Sequence, residues 1–306
     1  MKIKKLKREY NAAAKLIRHP AGLMPAAFLA AAGSLMLVSG LERNNPEYAC
    51  YEVSAKGKIS EDVRLVFLSD LHEKSFGEGN IRLLDMIERA DPDMVLIGGD
   101  MTRIMKKEAL ACTGVTEALV CELAGKYPVY MANGNHEQRF RNRRDAFRDG
   151  YERFVKRLED AGAVCLSDST ADAGSGISVS GLDIDDVYYR PLELEKMESG
   201  YVRRKLGSPD RSRYNILLAH SPAYLDAYAR YGADLVLSGH NHGGTIRITD
   251  KVGLMTPQYR FFSSFVVGRK SEGGTDMIIS PGLGTHSVNI RLNDRPQVVV
   301  VDIKKQ

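Results

Sequence analysis

Short apolar runs rich in β-branched residues punctuate this chain at 63–68, 94–97, 129–131, 216–219 and 235–237, and runs of that length and composition predict strands. Over 81–90, 107–124, 151–161 and 222–231 the apolar positions instead recur every three to four residues, the spacing of a helix with one buried face. Strand and helix in alternation predict an α/β domain. Further short strands are predicted at 244–248, 275–280 and 297–301 with no helices between them, which makes a second, mostly antiparallel sheet the expectation. Neither a repeat nor a low-complexity tract interrupts residues 46–306, and these are expected to form one domain.

The longest apolar stretch is of another kind. Residues 20–41, PAGLMPAAFLAAAGSLMLVSGL, carry no charge, and a bilayer core needs roughly 20 such residues. Pro20, Pro25 and the glycines at 22, 33 and 40 suit a transmembrane helix better than a soluble one. Before it, in residues 1–19, Lys2, Lys4, Lys5, Lys7, Arg8, Lys15 and Arg18 face a single acid, Glu9. That asymmetry places the N-terminus in the cytoplasm and the rest of the chain outside, as a single-pass membrane protein. A cleaved signal peptide that releases a secreted domain is the alternative, with Val38, Ser39 and Gly40 as the small-residue site. Asn44-Asn45-Pro46 is a loop signature that ends the anchor.

Composition narrows the partners. The chain has 306 residues and a formal charge of +4, with much of that excess in the first nineteen residues, so no nucleic-acid footprint is expected. Its four cysteines, Cys50, Cys112, Cys121 and Cys165, lack both zinc-site spacing and the density of a disulfide scaffold. They are expected to be free thiols or small buried residues, with Cys112 and Cys121 on one helix.

The chemistry lies where the predicted strands end. VFLSD finishes in Asp70 with His72 just beyond, VLIGGD in Asp100, and VYMANGNHE supplies Asn135, His136 and Glu137; ILLAH ends in His220, and LVLSGHNH in His240 and His242. Ligands of open α/β sheets gather outside the carboxyl ends of the strands, so these side chains are expected to converge. One His or Asp after a strand is commonly a cap or turn former, but seven in one pattern favour a site. Mixed imidazole and carboxylate suit manganese, zinc or iron better than magnesium or calcium. One ion cannot take so many ligands, whereas two ions roughly 3.5–4 Å apart can share a bridging carboxylate. Asp100 is the expected bridge, because its strand should lie between the others.

The series Asp70-x-His72, Gly99-Asp100, Gly134-Asn135-His136-Glu137, His220 and Gly239-His240-Asn241-His242 resembles the signature of the calcineurin-like metallophosphoesterase superfamily. The likeness runs over about residues 62–303, and Gly243-Gly244 with SPGLGTHSVNIRLNDRPQVVVVDI resembles a bacterial, membrane-associated branch. The resemblance implies a four-layer α/β/β/α sandwich with two mixed β-sheets, here following one N-terminal transmembrane helix. It implies two divalent metal ions, the first held by Asp70, His72, Asp100 and His242, the second by Asp100, Asn135, His220 and His240. His136 would stay unliganded, stabilising the transition state or protonating the leaving oxygen, while Glu137 orients a neighbour. Paired cations would neutralise phosphoryl oxygens and activate water for in-line attack.

Substrate signals are fewer. Arg139 and Arg141 open a run with Arg143, Arg144 and Arg148 directly after the Gly-Asn-His loop, within reach of an anionic substrate or lipid headgroup; a solvated surface interleaved with Asp145 and Asp149 is the alternative. Residues 259–267, YRFFSSFVV, are expected to form a buried strand, the alternative being an apolar rim for acyl chains. Residues 185–213 are polar and irregular, in the manner of an insertion over the site. Three functions follow: an anchored hydrolase of a phosphodiester or pyrophosphate in lipid or cell-envelope material, a phosphoesterase with a soluble monoester or nucleotide substrate, or an inactive metal-binding scaffold. No ligand is missing from the pattern, which disfavours the last.

Overall fold

The structure, a computed structural model, describes residues 20–105, 109–193, 195–285 and 288–306, and the side chains of these from residue 28 onwards. The basic cluster of residues 1–19 lies outside the described residues. The chain divides into two compact units, Met1–Leu41 and Glu42–Gln306.

Helix α1 (Pro20–Asn44) occupies the proposed anchor and exposes Phe28, Leu29, Leu37 and Leu41. Among the described residues no helix is long and apolar enough to cross a membrane; the side chains of positions 20–27 are not among them.

The second unit begins with β1 (Glu47–Ser54), β2 (Val63–Leu68), α2 (Ile81–Ala90), β3 (Met94–Ile97), β4 (Arg103–Met105), β5 (Leu110–Cys112) and α3 (Gly114–Ala124). Then come β6 (Val129–Ala132), α4 (Asn135–Asn142), α5 (Arg144–Phe147), α6 (Gly150–Asp160), β7 (Val164–Leu166), β8 (Ser169–Gly174) and β9 (Ile177–Leu182). The chain continues through α7 (Tyr201–Leu206), β10 (Tyr214–Ala219), α8 (Leu225–Tyr231) and β11 (Leu235–Ser238). It ends with β12 (Arg247–Thr249), β13 (Val252–Met255), β14 (Phe261–Ser263), β15 (Gly268–Glu272), β16 (Thr275–Ile279) and β17 (Gln297–Lys304).

Two six-stranded sheets organise these elements, in the orders β1-β17-β2-β3-β6-β7 and β15-β16-β11-β10-β9-β8. Leu65, Phe67 and Leu96 of the first sheet share one core with Val179, Ile216, Leu218 and Leu237 of the second. The alternate residues Val66, Leu68, Val95 and Ile97 face the other way, onto Leu83, Ile87, Leu119 and Phe154 from the helices. On the second sheet Leu217 and Val236 likewise turn to Tyr201, Val202 and Tyr228. Both faces of each central strand are therefore covered, and this is why their sequences read as unbroken apolar runs. Each such Leu or Phe contributes roughly 1.5–3 kcal/mol relative to exposure.

The mixed α/β expectation is met, with corrections. The second sheet is parallel through its centre, β16, β11, β10 and β9, and antiparallel only at its edges. The strand expected there at 297–301 is β17, inserted in the first sheet parallel to β1 and antiparallel to β2. A strand starting at 244 is replaced by a tight turn at His242–Gly244, where Gly243 and Gly244 end the apolar pattern. The helix predicted over 107–124 begins only at Gly114, because Leu110–Cys112 pairs with Arg103–Met105; residues 106–108 lie outside the described ones. Its start is set from a distance: the Glu73 carboxylate accepts from the N–H groups of Val115 and Thr116 at 2.9 and 3.0 Å, supplying the cap a helix N-terminus requires. Cys112 and Cys121 thus sit on different elements, although all four cysteines are free. The predicted 222–231 helix opens with a 3-10 turn at Pro222–Tyr224.

Two uncertain segments also resolve. Within 259–267 only Val266 and Val267 are buried, while Phe261 and Phe262 are 60% and 67% exposed; the buried-strand expectation fails because β14 is the outer strand of a small sheet, β12-β13-β14. Residues 185–213 are mostly exposed, but Tyr188, Met197, Tyr201 and Val202 are buried against the helix-bearing face of the second sheet and anchor the segment there.

Within the second unit, residues 42–45 ahead of β1 are stitched to the rest of it. The Asp294 N–H donates to Glu42 Oε2 at 3.2 Å, Arg82 donates to Asn45 Oδ1 at 3.1 Å, and Lys74 Nζ donates to the Arg43 carbonyl. At about 0.5–1.5 kcal/mol each, these three bonds should make a chain starting at Pro46 melt roughly 3–9 °C below one starting at Glu42. Scanning calorimetry of the two chains checks this, and equal melting temperatures would assign the bonds no net value.

Candidate metal centre

Strands β2 and β3 run parallel in register, with Leu68 opposite Ile97, so their carboxyl ends deliver Asp70 and Asp100 side by side. β6 flanks β3 on its other edge and leads directly into α4, whose first residue is Asn135. Across the shared core, adjacent β10 and β11 deliver His220 and His240, with His242 in the turn beyond. The expected convergence is present. Ligand atoms fall within 4.8 Å of one another in three buried groups: Asp70 with His72 and His242, His72 with Asp100 and His136, and Asp100 with His220 and His240.

The backbone bends sharply to achieve this. Asp70, His72, Asp100, His240 and His242 all have left-handed conformations, with φ of 55°, 48°, 52°, 68° and 45°. For non-glycine residues such strain costs on the order of 1–3 kcal/mol each and persists only where surroundings enforce it. Here the Asp70 N–H donates to the Gly99 carbonyl at 2.9 Å, the His72 N–H to the Asp100 carbonyl at 3.1 Å, and the His136 and His240 N–H groups to the Asp100 and Asp70 carboxylates at 2.8 and 3.0 Å. Close approach of the β3 and β6 ends requires two glycines: a Cβ on Gly99 would lie 2.1 Å from the Gly134 nitrogen, and one on Gly134 would lie 2.2 Å from Asp100 Oδ1.

Burial makes the charges consequential. Burial pushes the Asp70 carboxyl up to about 6, with the Asp100 charge adding to the rise and His220 opposing it. At Asp100 burial works in the same direction, yet His220, His136 and His72 together hold that carboxyl well below the usual range. Burial opposes charge on His220, but Asp100 and Asp70 raise it to about 10. Two desolvated carboxylates thus draw positive charge to this point, and divalent cations meet that demand.

The donor set fits cations. His220 Nδ1 donates to the Gly98 carbonyl at 2.8 Å, which orients the ring and aims Nε2 at Asp100 Oδ2 at 3.3 Å and Asp70 Oδ1 at 3.7 Å, a nitrogen that a metal ion would take in place of its proton. His72 and His242 bring their Nε2 atoms within 3.2 Å, as two imidazole ligands of one ion would. Asn135 Oδ1 is buried with no hydrogen-bond partner among the described residues, an oxygen donor awaiting an acceptor of its lone pair. Glu137 binds no such cluster. Its two oxygens take the N–H groups of Asp100, Gly134 and Thr102 and the Thr102 hydroxyl, at 2.8–2.9 Å, so it fixes the Asp100 turn.

His136 packs its ring 4.8 Å from that of His72, and its Nδ1 accepts the Ile104 N–H at 3.1 Å. The two arginines separate. Arg139 lines a cleft with His72 and His136, whereas Arg141 turns away to Asp183 at 2.5 Å and to Ser167, because the buried Asp183 carboxylate needs a cation. Sequence reasoning missed Tyr189, whose ring lies 4.9 Å from that of His240. It also missed Arg291, which is buried and donates to the carbonyls of Pro281, Gly282 and Gly284, bracing a loop whose Gly284 N–H meets the Asp70 carbonyl. Nothing local marks either residue.

Buried carboxylates and imidazoles at the carboxyl ends of strands from two facing sheets define a metal-dependent phosphoesterase. A model of the calcineurin-like phosphoesterase family matches residues 63–244, which include every residue of this cluster, and the chain belongs to that family. It is 25% identical over 259 residues to the uncharacterized protein YpbG of Bacillus subtilis, spanning 81% of this chain and 84% of that protein. An uncharacterized metallophosphoesterase of Aquifex aeolicus is 26% identical, over 79% of this chain and 85% of its own length. A zebrafish transmembrane protein with metallophosphoesterase domain is 28% identical over 79% of this chain, which covers 53% of that protein.

Saturating manganese or zinc should raise the melting temperature of metal-stripped protein by roughly 5 °C or more, since binding at 100 times Kd stabilises by about 2.7 kcal/mol. Gly134→Ala, which drives a methyl group into the Asp100 carboxylate, should abolish that shift. A shift of wild-type size in a folded Gly134→Ala protein would show that this close approach does not shape the centre.

Proposed function

We propose that two divalent cations, manganese, zinc or iron, occupy this centre, one held by Asp70, His72, Asp100 and His242 and the other by Asp100, Asn135, His220 and His240. The observation that carries the proposal is the placement of Asp100 between histidines from both sheets, in reach of each set. Three successive buried cores support a four-layer α/β/β/α arrangement for the fold. Bound cations supply charge to the phosphoryl oxygens and acidify water.

The protein's own residues do the rest. Because Nδ1 of His136 accepts a backbone N–H, the neutral ring carries its proton on Nε2. His136 therefore acts as a hydrogen-bond donor to a phosphoryl or leaving oxygen, which favours stabilising the transition state over delivering a proton. Arg139 contributes charge at the cleft wall, and Glu137 and the Gly98 carbonyl keep Asp100 and His220 aligned.

The substrate we favour is a phosphodiester or pyrophosphate of lipid or cell-envelope material, hydrolysed by a protein of the membrane-associated branch. A groove of about 130 Å³ beside His242 is lined by Met255, Tyr259, Val288 and Ile290, and Phe261 and Phe262 stand exposed close by in sequence. Exposed apolar surface of this kind suits a lipid interface. The exposed apolar side chains of α1 support residues 20–41 as a transmembrane anchor, with the N-terminus cytoplasmic and the catalytic unit extracytoplasmic. Fractionation with protease protection tests that topology.

The deciding assay uses the full chain, stripped with chelator and refilled with manganese or zinc, on an aryl phosphodiester and an aryl phosphomonoester. Diester turnover restored at about two metals per chain is expected, and monoester preference would shift the substrate to soluble phosphates. Asp100→Asn and His240→Ala should abolish turnover in folded protein; near-normal activity in either defeats the ligand assignment. His136→Ala should retain metal and slow hydrolysis by roughly 100-fold or more, so unchanged turnover on an ester with a poor leaving group would remove it from catalysis.

A further inference from the structure

A cleft of about 730 Å³ opens beside the metal centre, with His72 and His136 on its wall. That volume suits a whole small-molecule ligand rather than one phosphate group. Its other charged lining consists of Arg43, Lys74, Arg103, Arg139 and Glu73, three guanidinium groups and a lysine that burial brings down to about 7, against one acid. The acid is already engaged, since both Glu73 oxygens serve the first turn of α3 and the Thr116 hydroxyl. Among the described residues Arg103 and Arg139 form no ion pair, whereas the neighbouring Arg141, Arg143 and Arg144 each hold a carboxylate. Guanidinium groups left over at the wall of a cleft that leads to a phosphoesterase centre match the oxygens of an anion with planar, forked hydrogen bonds. One phosphate of the substrate belongs at the centre itself; the leftover charge calls for another.

We propose that Arg103 and Arg139 bind a second phosphate next to the scissile one, so that the substrate class is a diphosphate diester, a pyrophosphate flanked by two organic groups. This rests on the phosphoesterase function proposed above and narrows it. In the reaction water adds to one phosphorus, the P–O–P bond breaks at that atom, and the bridging oxygen leaves with the other phosphoryl group. Two phosphomonoesters result, and the protons of water accompany them, so atoms balance with water as the sole co-reactant. A second anionic group of this kind explains why the cleft carries more positive charge than a simple diester, with a single negative charge, would use.

The test uses the full chain loaded with manganese and two probes, a nucleoside 5′-diphosphate sugar as the diphosphate diester and bis(4-nitrophenyl) phosphate as the simple diester. For the Arg103→Gln/Arg139→Gln protein the ratio of KM values, diphosphate probe over aryl probe, is expected to rise at least tenfold, with partial recovery in Arg103→Lys/Arg139→Lys. Arg103→Gln alone, at an exposed position, should move the ratio in the same direction and guards against misfolding of the double variant. An unchanged ratio, or wild-type protein that turns over the aryl probe and leaves the diphosphate probe intact, overturns the second-phosphate site while leaving the phosphoesterase function standing. Silence on both probes overturns the function and this inference with it.

Discussion

Asp70 and Asp100 are two carboxylates with almost no access to water, set at the ends of neighbouring strands. Removing such groups from solvent is expensive unless positive charge and hydrogen-bond donors surround them. Three histidines crowd Asp100, backbone N–H groups reach both carboxylates, and the Ser69 hydroxyl donates to Asp70. Much of the surrounding architecture answers this demand. The second sheet brings its strand ends to the same point as the first, and the core between the sheets holds the two sets of ligands in register.

The same demand accounts for the strained backbone. A strand that continued straight would carry its terminal aspartate or histidine away from the cluster, so the chain reverses in left-handed turns at five of these residues. Glu137 and Arg291 hold such turns from behind, one as a buried acceptor and the other as a buried donor. Neither touches the cluster as a ligand, and each shows how a rigid shell fixes the residues in front of it.

Much of the centre was legible in the sequence because strand ends are marked by the break from apolar to polar, and seven side chains able to hold a metal stood at those breaks. The central strands at 63–68 and 94–97 and the helix at 81–90 were equally plain, the strands as short apolar runs rich in β-branched residues and the helix by its period of three to four. What the sequence hid was tertiary. The start of α3 depends on Glu73, some forty residues earlier, and the placement of β17 depends on pairing with β1 and β2 at the far end of the chain. Arg139 and Arg141 look alike in sequence; the buried Asp183 alone separates them. Exposure at Phe261 and Phe262 contradicted a hydrophobic pattern because β14 lies at the border of a small sheet, where one face has no partner layer.

The position of β17 bears on how this enzyme comes into being. β1 and β2 never touch as neighbours; the gap between them is filled by a strand from more than two hundred residues downstream. Until that strand has emerged from the ribosome and threaded into place, the sheet carrying Asp70 remains split and its outer strand has nothing to pair with. Local helices can form during synthesis, but the hydrolytic centre cannot be complete before residue 304. A nascent chain is thereby kept from acting on phosphate esters around it until synthesis and closure have finished together.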